Sequence, residues 1–163
     1  MNLDYLINQA KDDKIDRLNV AVVLVNKDHK ILICQRAKDK KYLPNVWHIP
    51  GGQVETGESI ELGAYREIKE ELGLDISDSV YDTTVTHDYI GHGDQKTRTV
   101  FVLAKTSGNI KLDFENQAYT FISTNEIDKY FEPHVVEINT QVFNETLKLI
   151  EKLGAENTIS EIV

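Results

Sequence analysis

Three carboxylates, Glu67, Glu70 and Glu71, stand at i, i+3 and i+4, so a helix through them would present all three on one face. Like charges at that spacing repel by roughly 0.2–0.5 kcal/mol per pair, and by more when partly buried. A cation would relieve them. Oxygen-only ligation selects a hard ion, Mg²⁺ or Mn²⁺, which keeps waters and takes phosphate oxygens as further ligands. The plainer reading of the same three residues is a solvated acidic helix face.

The element that must carry them spans residues 59–72, about four helical turns, with cap candidates at Thr56 to Ser59 and a stop at Gly73. Ala64, Ile68 and Leu72 form an apolar stripe beside the acids, which places the acid face next to the core. Gly63 lies one turn before Glu67 and costs roughly 1 kcal/mol of helix propensity, a cost that makes sense if something approaches closely there. Ahead of the helix, residues 43–50 run into Gly51-Gly52. Pro50 holds the residues before it extended, and the glycines permit a turn that side chains would not tolerate.

The rest of the chain supplies a frame. Residues 3–10 (Leu3, Leu6, Ile7, Ala10) show helical spacing and predict a short N-terminal extension over residues 1–16, available as a homodimer contact. Residues 18–25 and 31–34 are valine- and isoleucine-rich runs around a turn and predict a buried hairpin. Residues 80–89 and 97–104 predict a second hairpin, followed by an apolar run at 110–114 and a short strand at 119–122. Ser123 or Thr124 with Glu126 forms a capping box for a short helix to Tyr130. Val135, Ile138, Val142, Leu147, Ile150 and Leu153 predict a long closing helix ending at Gly154, with residues 155–163 expected to fray. Interleaved strands and helices make this a single α/β domain over residues 1–163 with a mixed sheet.

Composition narrows the function. The formal net charge is −9, from 27 acidic and 18 basic residues, which argues against a bare electrostatic grip on nucleic acid or on an anionic membrane. A polyanionic substrate would therefore need a divalent metal between it and the protein. The single cysteine, Cys34, lies in an apolar run and reads as a core thiol. The N-terminus lacks a secretory pattern and no segment approaches membrane-spanning length, from which a cytoplasmic location is expected.

Residues 52 to 74, GQVETGESIELGAYREIKEELGL, resemble the Nudix hydrolase signature, G-x5-E-x7-R-E-U-x-E-E-x-G-U with U a bulky aliphatic residue. Gly52, Glu58, Arg66, Glu67, Ile68, Glu70, Glu71, Gly73 and Leu74 fall on its constrained positions and none departs. With the flanks, the resemblance extends over roughly residues 18 to 150. It implies the Nudix fold, a mixed β-sheet sandwiched between α-helices. It also implies Mg²⁺-dependent hydrolysis of a nucleoside diphosphate linked to another group, by water attack at phosphorus. Carried onto this chain, Glu67, Glu70 and Glu71 would bind metal together with the backbone carbonyl of Gly52. Glu67 is also the first candidate base, and Arg66 and Glu58 would orient the carboxylates. The small MutT-like type acts on nucleoside triphosphates; dinucleoside polyphosphates, nucleotide sugars and the 5′ end of RNA are the rival substrates. A nucleotide-sensing module without turnover is the rival of another class, and such modules would be expected to lose carboxylates that are all present here.

Outside the signature, the resemblance points to an acid near Glu115 that binds metal or serves as base, against a plain turn acid. It points to His134 as a contact for the base, against an ordinary helix-start residue. Arg36 and Lys41 could meet phosphates. Tyr89 reads as strand or core packing, and His87 and His92 as strand and turn residues.

Overall fold

The computed structural model describes residues 2–77 and 79–163. The chain starts with α1 (Asp4–Asp12), followed by β1 (Arg17–Val23) and β2 (Ile31–Arg36). Two short strands, β3 (Trp47–His48) and β4 (Gly51–Gln53), lead into α2 (Ile60–Leu72). The hairpin β5 (Tyr81–Ile90) and β6 (Lys96–Leu103) follows, then β7 (Ser107–Gly108) and β8 (Asn116–Ile122). The chain closes with α3 (Ile127–Tyr130), α4 (Val136–Leu153), α5 (Ala155–Thr158) and β9 (Glu161–Ile162).

The strands form a mixed four-stranded sheet, β4-β1-β6-β5, and an antiparallel three-stranded sheet, β3-β2-β8. In the first sheet β1 runs parallel to β6 and antiparallel to β4. Strand β1 divides the core by alternation of its side chains. Val20, Val22 and Leu24 pack with Ile60, Ala64, Ile68 and Leu72 of α2. Ala21 and Val23 pack on the opposite side with Val85, Phe101, Val142, Phe143 and Ile150. Helix α2 thus covers one face of the sheet and α4 the other.

The first hairpin is real only at its turn. Asn26 N–H donates to Lys30 O at 2.9 Å, Leu32 N–H to Leu24 O at 2.9 Å, and Val25 bridges Ile31; beyond that β1 and β2 separate into different sheets. Residues 20–23 of the first and 31–34 of the second are unbroken apolar runs buried on both faces, the pattern of a central strand with partners on either side. The second hairpin forms as expected, with a register shift between Asp82 and Thr86 where Thr84 adopts φ 67°. Residues 110–114 are irregular, and they close the end of α2: Lys111 N–H donates to Leu72 O at 2.8 Å and Asp113 N–H to Glu71 O at 3.3 Å.

The tail, expected to fray, is instead docked. Strand β9 pairs in parallel with β7, Ser160 N–H donates to Val25 O at 2.8 Å, and Thr158 and Ser160 are buried. Burial of these two hydroxyl residues with satisfied partners is a signal that apolar spacing does not carry. Leu3 at the start of α1 and Leu6 within it pack on the chain's own core, with Ile7 against it, and Ala10 is buried too. Cys34 is fully buried, and burial pushes its thiol well above the ordinary range. Among the described residues no helix is long and apolar enough to cross a membrane.

Candidate active site

Helix α2 begins where the Ser59 side chain accepts the Leu62 N–H at 3.1 Å and ends at Gly73 in the left-handed region, φ 70°. These caps fix its register against the turn at Gly51-Gly52, which β1 holds through the pairs Val20↔Gly52 and Ala21↔Gly51. A side chain at either glycine would force a neighbour to move. A Cβ on Gly51 would lie 2.0 Å from Val20 O, and one on Gly52 would lie 2.5 Å from the carboxylate of Glu67. The Glu67 carboxylate therefore rests on the bare backbone of the turn. Gly63 serves a different approach: Glu58 Oε1 and a Val54 methyl would meet its Cβ at 3.2 and 3.4 Å, so the close neighbour is the loop preceding the helix.

Glu71 is 4% exposed. Its Oε2 accepts the Gly51 N–H at 2.8 Å and its Oε1 the Asn116 Nδ2 at 3.4 Å. Burial, with the charge of Glu67 adding to it, raises its carboxyl to about 8. Glu67 is also raised, chiefly by burial, with its Arg66 contact opposing. Asp113 is raised by burial too, and its charge is felt at Glu71, an acid that the spacing argument did not find.

Arg66 ties the rest of the signature together. Its Nε and Nη2 donate to the two oxygens of Glu58 at 2.8 and 2.9 Å, its Nη2 also to Gln53 O at 2.8 Å, and its Nη1 to Glu67 Oε1 at 2.8 Å. A planar guanidinium alone can satisfy such a set at once. The hydrogen bonds from Arg66 hold the Glu58 carboxyl below its ordinary value. Arg66 Nη1 also reaches Glu70 Oε2 at 3.3 Å, but Glu70 is 57% exposed and turned outward. Among the described residues no three of the acids converge closely enough to hold a metal ion as arranged. The structure brings Glu67 and Glu71 together at the Gly51-Gly52 turn and leaves Glu70 on the guanidinium. The donor chemistry nevertheless fits a hard divalent cation, since the buried Glu71 is held only by the neutral donors of Gly51 and Asn116 and the part-buried Glu67 lies beside it with a single guanidinium contact.

Glu115 is half-exposed, 3.8 Å from Lys40 Nζ, and its charge raises Glu67. Lys40 also lies over the ring of Phe114, itself 79% exposed, at 4.6 Å. Arg36 donates through Nε to Tyr42 O at 3.0 Å, bracing the loop before β3. His134 is exposed in the turn of 3₁₀ helix at Pro133–Val135; the proton affinity of His87 is lowered chiefly by its own burial, with the charge of His134 adding to it and Asp88 opposing.

The sheet face away from α2 carries a polar row. The register Asn19↔Thr99↔His87 lines three side chains up across β1, β6 and β5, beside Gln53 of β4. His87 stacks on Tyr89 with ring centroids 5.2 Å apart, and the Asn19 Nδ2 donates to the Tyr89 hydroxyl at 3.3 Å. Tyr89, read from sequence as strand or core packing, is 37% exposed on this face. Sequence reasoning also passed over His48 and Asn116, whose burial behind Glu71 no spacing announces. His48 sits between Asn116 Oδ1 (2.9 Å from Nε2) and Ile49 O (3.0 Å from Nδ1), and burial lowers its proton affinity.

Comparisons with known proteins give the family and the fold. The chain is 34% identical over 74 residues to an 8-oxo-dGTP diphosphatase of Proteus vulgaris, a match covering 45% of this chain and 65% of that protein. It is 28% identical over 116 residues to the nucleoside triphosphatase NudI of Escherichia coli K12, covering 66% and 82%. The chain thus spans a little under two thirds of the Proteus protein's length. Among solved structures, a MutT protein from Methanosarcina mazei superposes with a TM-score of 0.70 at 19% identity, covering 81% of this chain and 95% of that one, which establishes the shared fold. The model of the NUDIX domain matches residues 16–147, and the chain belongs to that family.

Proposed function

We propose that the protein is a divalent-metal-dependent pyrophosphohydrolase acting on a nucleoside triphosphate or a closely related nucleotide. The observation that carries this reading is the seating of the part-buried Glu67 carboxylate on Gly52, where a Cβ would displace it, beside the buried Glu71. Glu67, Glu70, Glu71 and the carbonyl of Gly52 would hold Mg²⁺, or Mn²⁺ in its place, with Glu115 as a further ligand or as the base. When bound, the cation supplies charge neutralisation to the phosphates and acidity to water.

The chain's own groups do the rest. Water attacks phosphorus, a P–O bond to that water forms, and the bridging P–O bond breaks with its electron pair leaving on the departing phosphate. Glu67, whose proton affinity is already raised by burial, takes the proton of the attacking water. Arg66 and Glu58 hold Glu67 in place through the guanidinium fork. The row of Asn19, Thr99 and His87 with Tyr89 offers hydrogen-bonding groups and a ring pair to a nucleobase, with His134 at its margin. Arg36 is a phosphate contact in this scheme. The names of the two relatives, both of which act on nucleoside triphosphates, support the substrate class.

A panel of nucleoside triphosphates, dinucleoside polyphosphates and nucleotide sugars at fixed Mg²⁺, with products identified by mass, tests it. A monophosphate product from a triphosphate is expected. Glu67→Gln should abolish turnover, and comparing it with Glu115→Gln for turnover against metal affinity separates base from ligand. Nucleotide binding without turnover of any substrate would sink the enzymatic reading in favour of a sensing module.

A further inference from the structure

Behind Glu71 two polar side chains lie in the interior that no part of the signature accounts for. Asn116 is 4% exposed and begins β8 where its register against β2 shifts between Gln35 and Arg36. His48 lies on β3, paired with Cys34 at the middle of β2. They form a chain of contacts: His48 Nε2 to Asn116 Oδ1 at 2.9 Å, Asn116 Nδ2 to Glu71 Oε1 at 3.4 Å, and Glu71 Oε2 to the Gly51 N–H at 2.8 Å.

The order of donors along this chain is constrained. A primary amide has one accepting and one donating end. If His48 offers Nε2–H, the amide oxygen of Asn116 turns to it and the NH₂ turns to Glu71. Reversed, Asn116 would set its carbonyl oxygen against a carboxylate oxygen in a buried setting, which is costly. The Nε2–H tautomer of His48, with Nδ1 then unprotonated beside Ile49 O, is the one that matches the amide orientation in which Asn116 donates to Glu71. With one oxygen of Glu71 on Asn116 and the other on the turn, the plane of that carboxylate is fixed at both ends.

We propose that His48 and Asn116 are positioning residues for Glu71, the imidazole orienting the amide and the amide aiming the carboxylate at the divalent cation. The inference rests on the metal-site reading above. Partners of this kind behind metal-binding carboxylates are worth about 10- to 100-fold in metal affinity.

Titration of the purified protein with Mn²⁺, following the free ion by electron paramagnetic resonance, tests it without reference to turnover. Four proteins are compared: wild type, Asn116→Leu, His48→Gln and His48→Asn. The amide nitrogen of glutamine reaches the place of Nε2, whereas that of asparagine reaches only the place of Nδ1. Asn116→Leu and His48→Asn should bind Mn²⁺ about 10- to 100-fold more weakly, while His48→Gln stays close to wild type. The Mg²⁺ concentration for half-maximal turnover should rise in the same two variants, with kcat largely restored at saturating Mg²⁺. Wild-type affinity in Asn116→Leu, or equal affinities in the two His48 variants, would overturn the inference while leaving the metal site standing. Should Asn116→Leu fail to fold in a thermal melt, the two His48 variants decide alone. Failure of the wild type to bind Mn²⁺ would overturn the metal site itself, and this inference with it.

Discussion

Replacing Glu71 by glutamine in metal-free protein should stabilise the fold, by an amount that grows with pH. The wild-type carboxyl rises from an ordinary 4.5 to about 8 because it is buried and faces Glu67. A raised carboxyl leaves stability intact below its unfolded value, where it is protonated in both states. That stability is lost as pH rises toward the folded value. Each unit in that window is worth about 1.4 kcal/mol, so the loss is roughly 2 kcal/mol near pH 6 and roughly 4–5 kcal/mol near pH 8. Glutamine keeps the shape, still accepts the Gly51 N–H and never ionises; its NH₂ then meets Asn116, whose amide turns to accept it while His48 takes the Nδ1–H tautomer against Ile49 O. Urea unfolding in EDTA, repeated from about pH 5 to about pH 8.5, should show two curves that meet at the acid end and diverge upward, with the variant more stable. Adding Mg²⁺ should then reverse the order, because only the wild type gains a ligand-bound native state. Parallel curves, or a variant less stable than wild type near pH 8, would refute the account of Glu71 as a buried charge awaiting a cation.

Gly52→Ala should leave urea stability nearly unchanged, because the atom in the way is the flexible end of Glu67, yet lower kcat/KM about 100-fold by displacing that carboxylate; equal rates would show that the seat is not needed. Cys34 should resist thiol reagents in the native protein and react only as fast as it unfolds, so rapid native-state labelling would contradict its burial. Truncation after Gly154 removes the backbone bonds from Ser160, Glu161 and Val163 to Val25, Thr106 and Gly108. It should cost about 3 kcal/mol at about 1 kcal/mol per bond, read as a fall in Tm. Fast hydrogen exchange at the Ser160 and Glu161 amides of the full chain would remove its basis.

What could be read from sequence was whatever repeats locally. Helix α2, its Ser59 cap, its Gly73 stop and the capping box of Ser123 and Glu126 depend on neighbours within four residues, and all are present. The hairpin of β1 and β2 misled because two apolar runs around a turn look alike whether they pair with each other or with strands far along the chain. Strand β1 takes β6, nearly eighty residues away. The tail was illegible for a related reason: its anchors are two buried hydroxyls, Thr158, which donates to Gly154 O, and Ser160, which is buried where Val25 and Thr106 happen to meet it. At the site, the acids on one helix face were visible, whereas the outward turn of Glu70 toward Arg66 was not. Spacing along a helix fixes which side a carboxylate is on, but the competing cation fixes where it points. His48 and Asn116 meet across three strands, and nothing in either one's surroundings in the chain marks them.

Strand β1 gives its even-numbered side chains to α2 and its odd-numbered ones to the opposite face, where Asn19 joins Thr99, His87 and Tyr89. Two kinds of selection can therefore act on one strand without interfering. Changes at Asn19 or at its neighbours on β5 and β6 alter what lies against that polar row, while Val20 and Val22 go on holding the acidic helix in register. Diversification of the row is in this sense uncoupled from the residues at the Gly51-Gly52 turn. A library restricted to Asn19, His87, Tyr89 and Thr99 would vary that row on an otherwise constant scaffold.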